Sequence, residues 1–211
     1  MYTQDTHQLH AESLSLSITK VVREEGDVIQ DRPRLGSVGL ISISNVVVSG
    51  IDLNSLQRTP VLSRYLQQHD DQQDQNCEFV IGTAESEVDR TLEDCIKTMF
   101  PGEKTKFTIR GNLNLTRNTK KSFLTPPSNI LNDHWIEIEC VLVLVNLINS
   151  QPIHKWYPET KLEKAKEYNN SAIHLFKIQR YLDSFHKFRL VYTLVIYIQV
   201  DSNVDSDLRA E

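Results

Sequence analysis

The three cysteines are the side chains of this sequence best suited to metal binding or nucleophilic chemistry. They are Cys77, Cys95 and Cys140, which lie far apart and have no histidine or second cysteine at metal-ligand spacing. Structural zinc sites use closely spaced Cys and His pairs, and an odd number of cysteines does not build a disulfide framework. The sequence has no serine, cysteine or metal-ligand constellation that would indicate a hydrolase. We therefore expect reduced core thiols in a cytoplasmic or nuclear protein, with no metal and no cofactor.

The charge balance argues against a nucleic acid or a membrane as the partner. The chain has 211 residues, a formal net charge of −5 and a pI near 5.8. Counterion release from nucleic acid needs a basic face, which an acidic chain does not favour. The longest apolar run, residues 136–148, contains Glu137 and Glu139. It is also shorter than the about 20 residues that a membrane-spanning helix needs, so we expect a buried strand.

One amphipathic helix is expected in the first part of the chain. Ser86 and Asp89 have the spacing of a capping box at its start. A single apolar stripe at helical spacing indicates the helix itself, and its members are Val88, Leu92, Cys95, Ile96 and Met99.

Strand patterns surround this helix. Apolar residues alternate with polar ones, or form short apolar runs, at 14–22, 38–48, 78–81, 104–109 and 135–148. About five antiparallel strands on one helix make an α+β fold, which we expect to span residues 14–149. Residues 1–13 are expected to be an N-terminal tail. Segment 63–76 is rich in Gln and Asp, and we expect it to be a flexible polar insertion.

The composition changes after this domain, and residues 150–211 are expected to form a separate helical region. Residues 159–177 have a helical composition. In residues 181–200 aromatic and aliphatic side chains recur at helical spacing, although the β-branched residues there leave a strand open. We favour a helical hairpin. Its second helix is apolar on nearly all sides, so one partner helix leaves large side chains uncovered.

The order of these elements and several short motifs resemble the FK506-binding protein (FKBP) family. The resemblance covers residues 14–148. It implies a curved antiparallel sheet wrapped on one helix and, in typical members, peptidyl-prolyl isomerase activity. The matching motifs are F-x-x-G at 79–82, the helix at 88–99, M-x-x-G-E-K at 99–104, the Pro pair at 126–127 and the long last strand at 135–145.

The resemblance also implies which side chains an isomerase needs, and this chain lacks most of them. The X–Pro bond has to twist against a barrier of about 18–20 kcal/mol. Family members favour the twisted amide in a dry aromatic cup with a tryptophan floor on the helix. We predict that the scaffold remains and that the isomerase site is lost. The matching positions form a vestigial pocket of Ile43, Cys77, Val88, Asp89, Leu92 and Ile138.

The helical region resembles the tetratricopeptide (TPR) repeats that many FKBPs carry. Phe176, Tyr181 and Phe188 match the aromatic positions of one repeat. Together with Tyr192, they are the candidate partner-binding residues. Because TPR units bury their apolar faces against neighbours, we expect this surface to bind another protein or another helix.

A second TPR property gives a more specific hypothesis. TPR domains that bind the C-terminal tail of cytosolic chaperones use a Lys-x-x-x-Asn clamp, and Lys166 and Asn170 have that spacing. The register set by the aromatic positions instead places Asn169 and Ile173 at the clamp. This second register argues against chaperone-tail binding.

Three functions are compatible with these patterns. The leading hypothesis is a non-catalytic FKBP-like scaffold that binds a protein client through its TPR-like helices and regulates it. Within the family, the layout is most similar to an insect FKBP-like protein whose partner is a casein kinase I type protein kinase, which implies a client of that kind. The alternatives are an active isomerase with a rearranged pocket and a co-chaperone that binds chaperone tails.

Overall fold

The chain forms two compact units, Met1–Ser150 and Gln151–Glu211. The computed structural model describes residues 7–10, 16–50, 63–66, 75–112 and 135–208. No helix in these ranges has the length and apolar character that a membrane span requires. The elements are β1 (His7–His10), β2 (Leu16–Glu24), β3 (Val38–Ser49), β4 (Gln75–Val80), α1 (Glu87–Lys97), β5 (Lys104–Asn112), β6 (Trp135–Ile148), a 3-10 helix (Ile153–Lys155), α2 (Pro158–Lys177) and α3 (Tyr181–Leu208).

The first unit is an antiparallel sheet that packs on α1. The strand order is β1-β2-β5-β6-β3-β4, and every neighbouring pair is antiparallel. On the outer face of β6, Glu137 and Glu139 pair with Arg110 and Lys106 of β5. The α+β fold expected from the sequence is confirmed, with six strands where about five were expected. The alternating residues of β6 that face the core are Ile136, Ile138, Cys140, Leu142 and Leu144.

Helix α1 begins at a local signal in the sequence. Ser86 is its N-cap, and the Ser86 hydroxyl oxygen accepts the backbone N–H of Asp89 at 3.0 Å. The turn into β5 places Gly102 at φ +80°, a left-handed conformation that favours glycine. The predicted apolar stripe is buried, and because α1 ends at Lys97 its last member, Met99, lies just beyond the helix. The stripe consists of Val88, Leu92, Cys95, Ile96 and Met99.

The three cysteines are free thiols buried in this unit. Burial raises the pKa of Cys77, and it raises the pKa of Cys140 to about 12. Since the thiolate is the nucleophilic form, these side chains behave as small apolar core residues.

Two segments differ from what composition suggests. Strand β1 lies within residues 1–13, which the sequence analysis assigns to a tail, and it pairs with β2. Residues 63–66 belong to the expected flexible insertion, yet they form a turn in which Ser63 and Tyr65 are buried. Gln75 already begins β4. Hydrogen bonds to α1 hold the turn in place. These contacts join distant residues, so no local sequence pattern predicts them. Residues 67–74 lie outside the described residues.

The second unit is the expected helical hairpin of α2 and α3. Residues 181–200, for which a strand was left open, are helical. Ser184 of α3 donates its hydroxyl to the carbonyl oxygen of Ala172 at 2.8 Å. The Lys187 ammonium lies 5.3 Å from the ring centroid of Tyr168. Ser184 and Ala172 are small residues, so the two helices can approach closely at their contact.

Candidate functional site

The six positions of the vestigial pocket come together in the structure, but as part of the core. Five belong to one apolar cluster between the sheet and α1, and the sixth, Asp89, is a buried carboxylate on α1. None of the six exposes more than 9% of its surface. A peptide arriving from solvent therefore finds none of these side chains accessible. They are Ile43, Cys77, Val88, Asp89, Leu92 and Ile138.

Asp89 anchors the turn formed by residues 63–66. The Ser63 hydroxyl donates to Asp89 Oδ1 at 2.5 Å, and the backbone N–H of Arg64 donates to Asp89 Oδ2 at 3.2 Å. Burial raises the pKa of Asp89, and these hydrogen bonds and the Arg64 charge oppose that shift. The Asp89 carboxylate thus fixes a distant chain segment. The Ser86 contact of the predicted capping box is present, because the Ser86 hydroxyl accepts the backbone N–H of Asp89.

Glu93, one turn further along α1, fixes the same segment. Its carboxylate accepts the backbone N–H groups of Gly82 and Ala84, each at 2.7 Å. It also accepts hydrogen bonds from the guanidinium of Arg64 at 3.3 Å and from the hydroxyl of Tyr65 at 3.5 Å. One buried acid therefore joins α1 to the loop after β4 and to the turn at 63–66.

Tyr65 places its ring in the same cluster as the vestigial pocket. The Arg64 guanidinium lies 4.6 Å from the ring centroid. Burial raises the pKa of Tyr65, with Glu93 acting in the same direction and Arg64 against it. The other aromatic members of the cluster, Phe79 and Phe107, are also buried. These rings fill the core and do not line an open cup.

Sequence patterns do not single out Arg64, Tyr65 or Glu93. The contact between Tyr65 and Glu93 joins residues 28 positions apart. An acid beside the apolar stripe of an amphipathic helix is ordinary. The one usable signal is the aromatic residue in the otherwise polar segment 63–76, because a large apolar side chain is unusual in a solvated loop.

The raised pKa of Asp89 predicts a pH dependence of stability. The unfolded-state pKa is about 3.9. Because the folded state holds the proton more tightly, the contribution of Asp89 to the free energy of unfolding falls as pH rises from that value through the folded-state pKa. Asp89→Asn removes this titration. We expect the free energy of unfolding of the wild type minus that of Asp89→Asn to decrease as the pH rises above about 3.9 in urea titrations.

The opposite trend would contradict this assignment. A difference that increases over the same pH range would mean that Ser63 and Arg64 outweigh burial and hold the pKa of Asp89 below its unfolded value. Titrating groups that are distant from Asp89 contribute equally to both proteins, so their contributions cancel in the difference.

The four candidate partner-binding residues lie exposed on the hairpin. The rings of Phe176 and Tyr181 meet edge to face, with centroids 5.1 Å apart. Phe188 and Tyr192 follow on α3. Each of the four exposes between 40% and 67% of its surface. Clusters of exposed large apolar side chains mark interaction surfaces.

The two registers of the chaperone-tail clamp place different residues on α2. Lys166 and Asn170 are exposed, Asn169 is half-buried and Ile173 is exposed. A carboxylate needs hydrogen-bond donors, which the side chain of Ile173 lacks. In the register set by the aromatic positions, the clamp is therefore incomplete.

One solved structure is similar in fold to this chain. A crystal structure of residues 1–211 of CG17282 is similar to this chain with a TM-score of 0.60 and 22% identity, over 85% of this chain and 71% of that chain. Among the described residues, the strand order and the helix that packs on the sheet agree with the order that the motifs imply. The first unit has an FKBP-like fold. At this identity the likeness concerns the fold and not the activity.

Two further structures are similar to the FKBP-like chain with lower scores. One is a multi-domain immunophilin from Arabidopsis thaliana, with a TM-score of 0.40 and 13% identity over 90% of this chain and 66% of that chain. The other contains the three FKBP domains of wheat FKBP73, with a TM-score of 0.37 and 16% identity over 63% of this chain and 45% of that chain. No protein-family model matches the sequence, and no curated protein matches it significantly.

Proposed function

We propose that the chain is a non-catalytic FKBP-like scaffold that binds a client protein through its helical hairpin and regulates that client. The observation that carries the proposal is a contrast between the two units. The pocket positions of the FKBP-like unit are buried in its core, whereas four aromatic residues of the hairpin are exposed. The hairpin therefore exposes an apolar surface that a partner can bind.

The buried pocket supports the absence of catalysis. An isomerase has to take the imide out of water and place it against an apolar, usually aromatic, wall. Leu92 stands at the floor position and is fully buried, and Asp89 one turn earlier is buried and hydrogen-bonded. Glu93 and Asp89 hold residues 63–66 against this part of α1. A substrate imide has no accessible wall at these positions.

A proline-peptide assay tests this part of the proposal. The chain is expected to leave the cis–trans exchange rate of the peptide at its uncatalysed value, and FK506 is expected to have no effect. An acceleration that FK506 abolishes would establish an active, rearranged pocket and would refute the non-catalytic assignment.

For the client, we propose a protein kinase of the casein kinase I type. This step rests on the resemblance in layout to an insect FKBP-like protein within the family. The exposed aromatic residues at helical spacing fit recognition of an apolar segment by a helical surface. Aromatic side chains are also the commonest anchors of protein interfaces.

Substitution of Phe188 and Tyr192 by alanine is expected to weaken capture of a recombinant kinase of this type at least about tenfold, the loss of an interface anchor. Both side chains are exposed, so the fold should be retained, as circular dichroism can verify. The matched control is Val28→Ala with Ile29→Ala, which removes two exposed apolar side chains from the FKBP-like unit. Equal capture by the hairpin variant and the wild type would contradict the role of the hairpin.

A further inference from the structure

The turn at 63–66 is attached to the FKBP-like unit through side chains. The Ser63 hydroxyl and the backbone N–H of Arg64 donate to the carboxylate of Asp89. The Arg64 guanidinium donates to the carboxylate of Glu93. Among the described residues, no backbone–backbone hydrogen bond joins the turn to the sheet or to α1. Release of the turn therefore breaks none of the described backbone hydrogen bonds that pair the strands.

Water can replace the hydrogen bonds that hold the turn. Because water has donors and acceptors of its own, exchanging such a bond for hydration changes the free energy little. Arg64 is exposed and Leu66 is half-buried. The largest fully buried side chain of the turn is Tyr65, which is 2% exposed. Burial of the Tyr65 ring is therefore the main apolar contribution that keeps the turn in place.

The space that Tyr65 fills has the chemistry of a binding site for a phenol. The ring belongs to the apolar cluster that also contains Val88 and Leu92 of α1. The Tyr65 hydroxyl accepts a hydrogen bond from the Arg64 guanidinium and donates one to Glu93 Oε1 at 3.5 Å. A buried phenol needs both an apolar surround for its ring and a partner for its hydroxyl. The site thus matches a p-hydroxyphenyl group at both ends.

We propose that Tyr65 is a replaceable internal ligand: the turn at 63–66 closes a site for a p-hydroxyphenyl group, and a phenol or a tyrosine residue that enters this site holds the turn open. Because Tyr65 is part of the same chain, its effective concentration at the site is high and the chain without ligand is closed. A ligand that binds the open state alone increases the population of that state. The contact is therefore autoinhibitory, and its opening exposes the peptide bond after Arg64.

Tyr65→Ala removes the internal ligand and leaves its space to an added one. An apolar cavity of the size of an aromatic ring binds small aromatic molecules. We expect p-cresol, which has the ring and the hydroxyl of tyrosine, to bind this variant with a dissociation constant on the order of 1 mM. At about 10 mM it then shifts the unfolding equilibrium about tenfold towards the folded state in urea titrations. The wild type, whose site is filled, should gain no stability.

Phe79→Ala is the matched control, because Phe79 is a fully buried ring of the same cluster and has no hydroxyl. In Tyr65→Ala, we expect p-cresol to bind about fivefold more tightly than toluene, since Arg64 and Glu93 pair with its hydroxyl. In Phe79→Ala, toluene should bind at least as tightly as p-cresol, because a phenylalanine site needs no partner for a hydroxyl. The same preference for p-cresol in both variants, or no stabilisation of folded Tyr65→Ala, would overturn the phenol site.

Limited trypsin digestion of the wild type tests the opening itself, and it decides the outcome if Tyr65→Ala does not fold. We expect p-cresol and N-acetyl-tyrosinamide, each at about 10 mM, to accelerate cleavage after Arg64 about tenfold, the factor by which the ligand raises the open population. Cleavage after Lys177, which is exposed at the end of α2, should keep its rate.

The two ligands distinguish the sources of the phenol. Acceleration by p-cresol alone assigns the site to small phenols, whereas acceleration by N-acetyl-tyrosinamide assigns it to tyrosine residues. If neither ligand accelerates cleavage after Arg64, or if cleavage after Lys177 accelerates equally because the whole chain unfolds, the proposal is refuted. No client and no proline peptide takes part, so the outcome is independent of the proposed function.

Discussion

Replacement of Lys20 by methionine is expected to lower the free energy of unfolding by about 3–5 kcal/mol, the cost of breaking a buried ion pair. The Lys20 ammonium lies 2.7 Å from Glu103 Oε1 and 2.8 Å from the carbonyl oxygen of Thr98, and the two side chains are 8% and 4% exposed. Methionine has a similar volume but leaves the Glu103 charge without its cation. Glu103 then keeps the hydroxyl of Thr105 and the backbone N–H of Phe100 as donors.

This pair ties the end of α1 to β2 and to the turn before β5, so its loss also loosens the helix that carries Val88, Asp89 and Leu92. Urea unfolding followed by circular dichroism measures the effect. The matched control is Lys106→Met, because Lys106 lies 3.0 Å from Glu139 with both side chains 32% exposed, and such exposed pairs are worth less than about 1 kcal/mol. Equal losses in the two variants would show that Lys20 is hydrated and not buried.

Removing the unpaired charge as well should recover part of the stability. Lys20→Met combined with Glu103→Leu is expected to be more stable than Lys20→Met alone, because a buried apolar pair avoids the desolvation of an isolated carboxylate. A double variant as unstable as the sum of two single variants would indicate that the two side chains do not interact.

Replacement of Glu93 by alanine is expected to cost about 3–4 kcal/mol, because each buried group that loses its acceptor costs about 1–3 kcal/mol. The buried backbone N–H of Ala84 and the half-buried N–H of Gly82 lose the Glu93 carboxylate, and the hydroxyl of Tyr65 loses its contact with it. The same substitution should release residues 63–66 from α1. Trypsin is therefore expected to cleave after Arg64 faster in the variant than in the wild type.

Asp94→Ala is the matched control for Glu93. Asp94 is the next residue on α1, but its carboxylate is 45% exposed and pairs with Lys97 on the surface. We expect it to change stability by less than about 1 kcal/mol and to leave cleavage after Arg64 unchanged. If Glu93→Ala is no more costly than Asp94→Ala, the buried acid does not hold the turn as its distances indicate.

Local periodicity was sufficient to predict the elements that form the frame of the molecule. The stripe of α1 and the alternation along β6 are each set by neighbouring residues, because side chains repeat every 3.6 residues in a helix and every two in a strand. The same reasoning predicted the hairpin of α2 and α3. It also located Phe176, Tyr181, Phe188 and Tyr192 on helices, where the structure leaves them exposed.

Contacts between residues that are distant in the sequence determine two elements that these local patterns do not predict. Strand β1 exists through its pairing with β2, and the polar turn at 63–66 exists because Asp89 and Glu93 of α1 bind it. An isolated four-residue strand or turn has no stability of its own, so its sequence need not show it. Whether an acid such as Asp89 caps its own helix or clamps another segment depends on which donors tertiary folding brings within hydrogen-bonding distance.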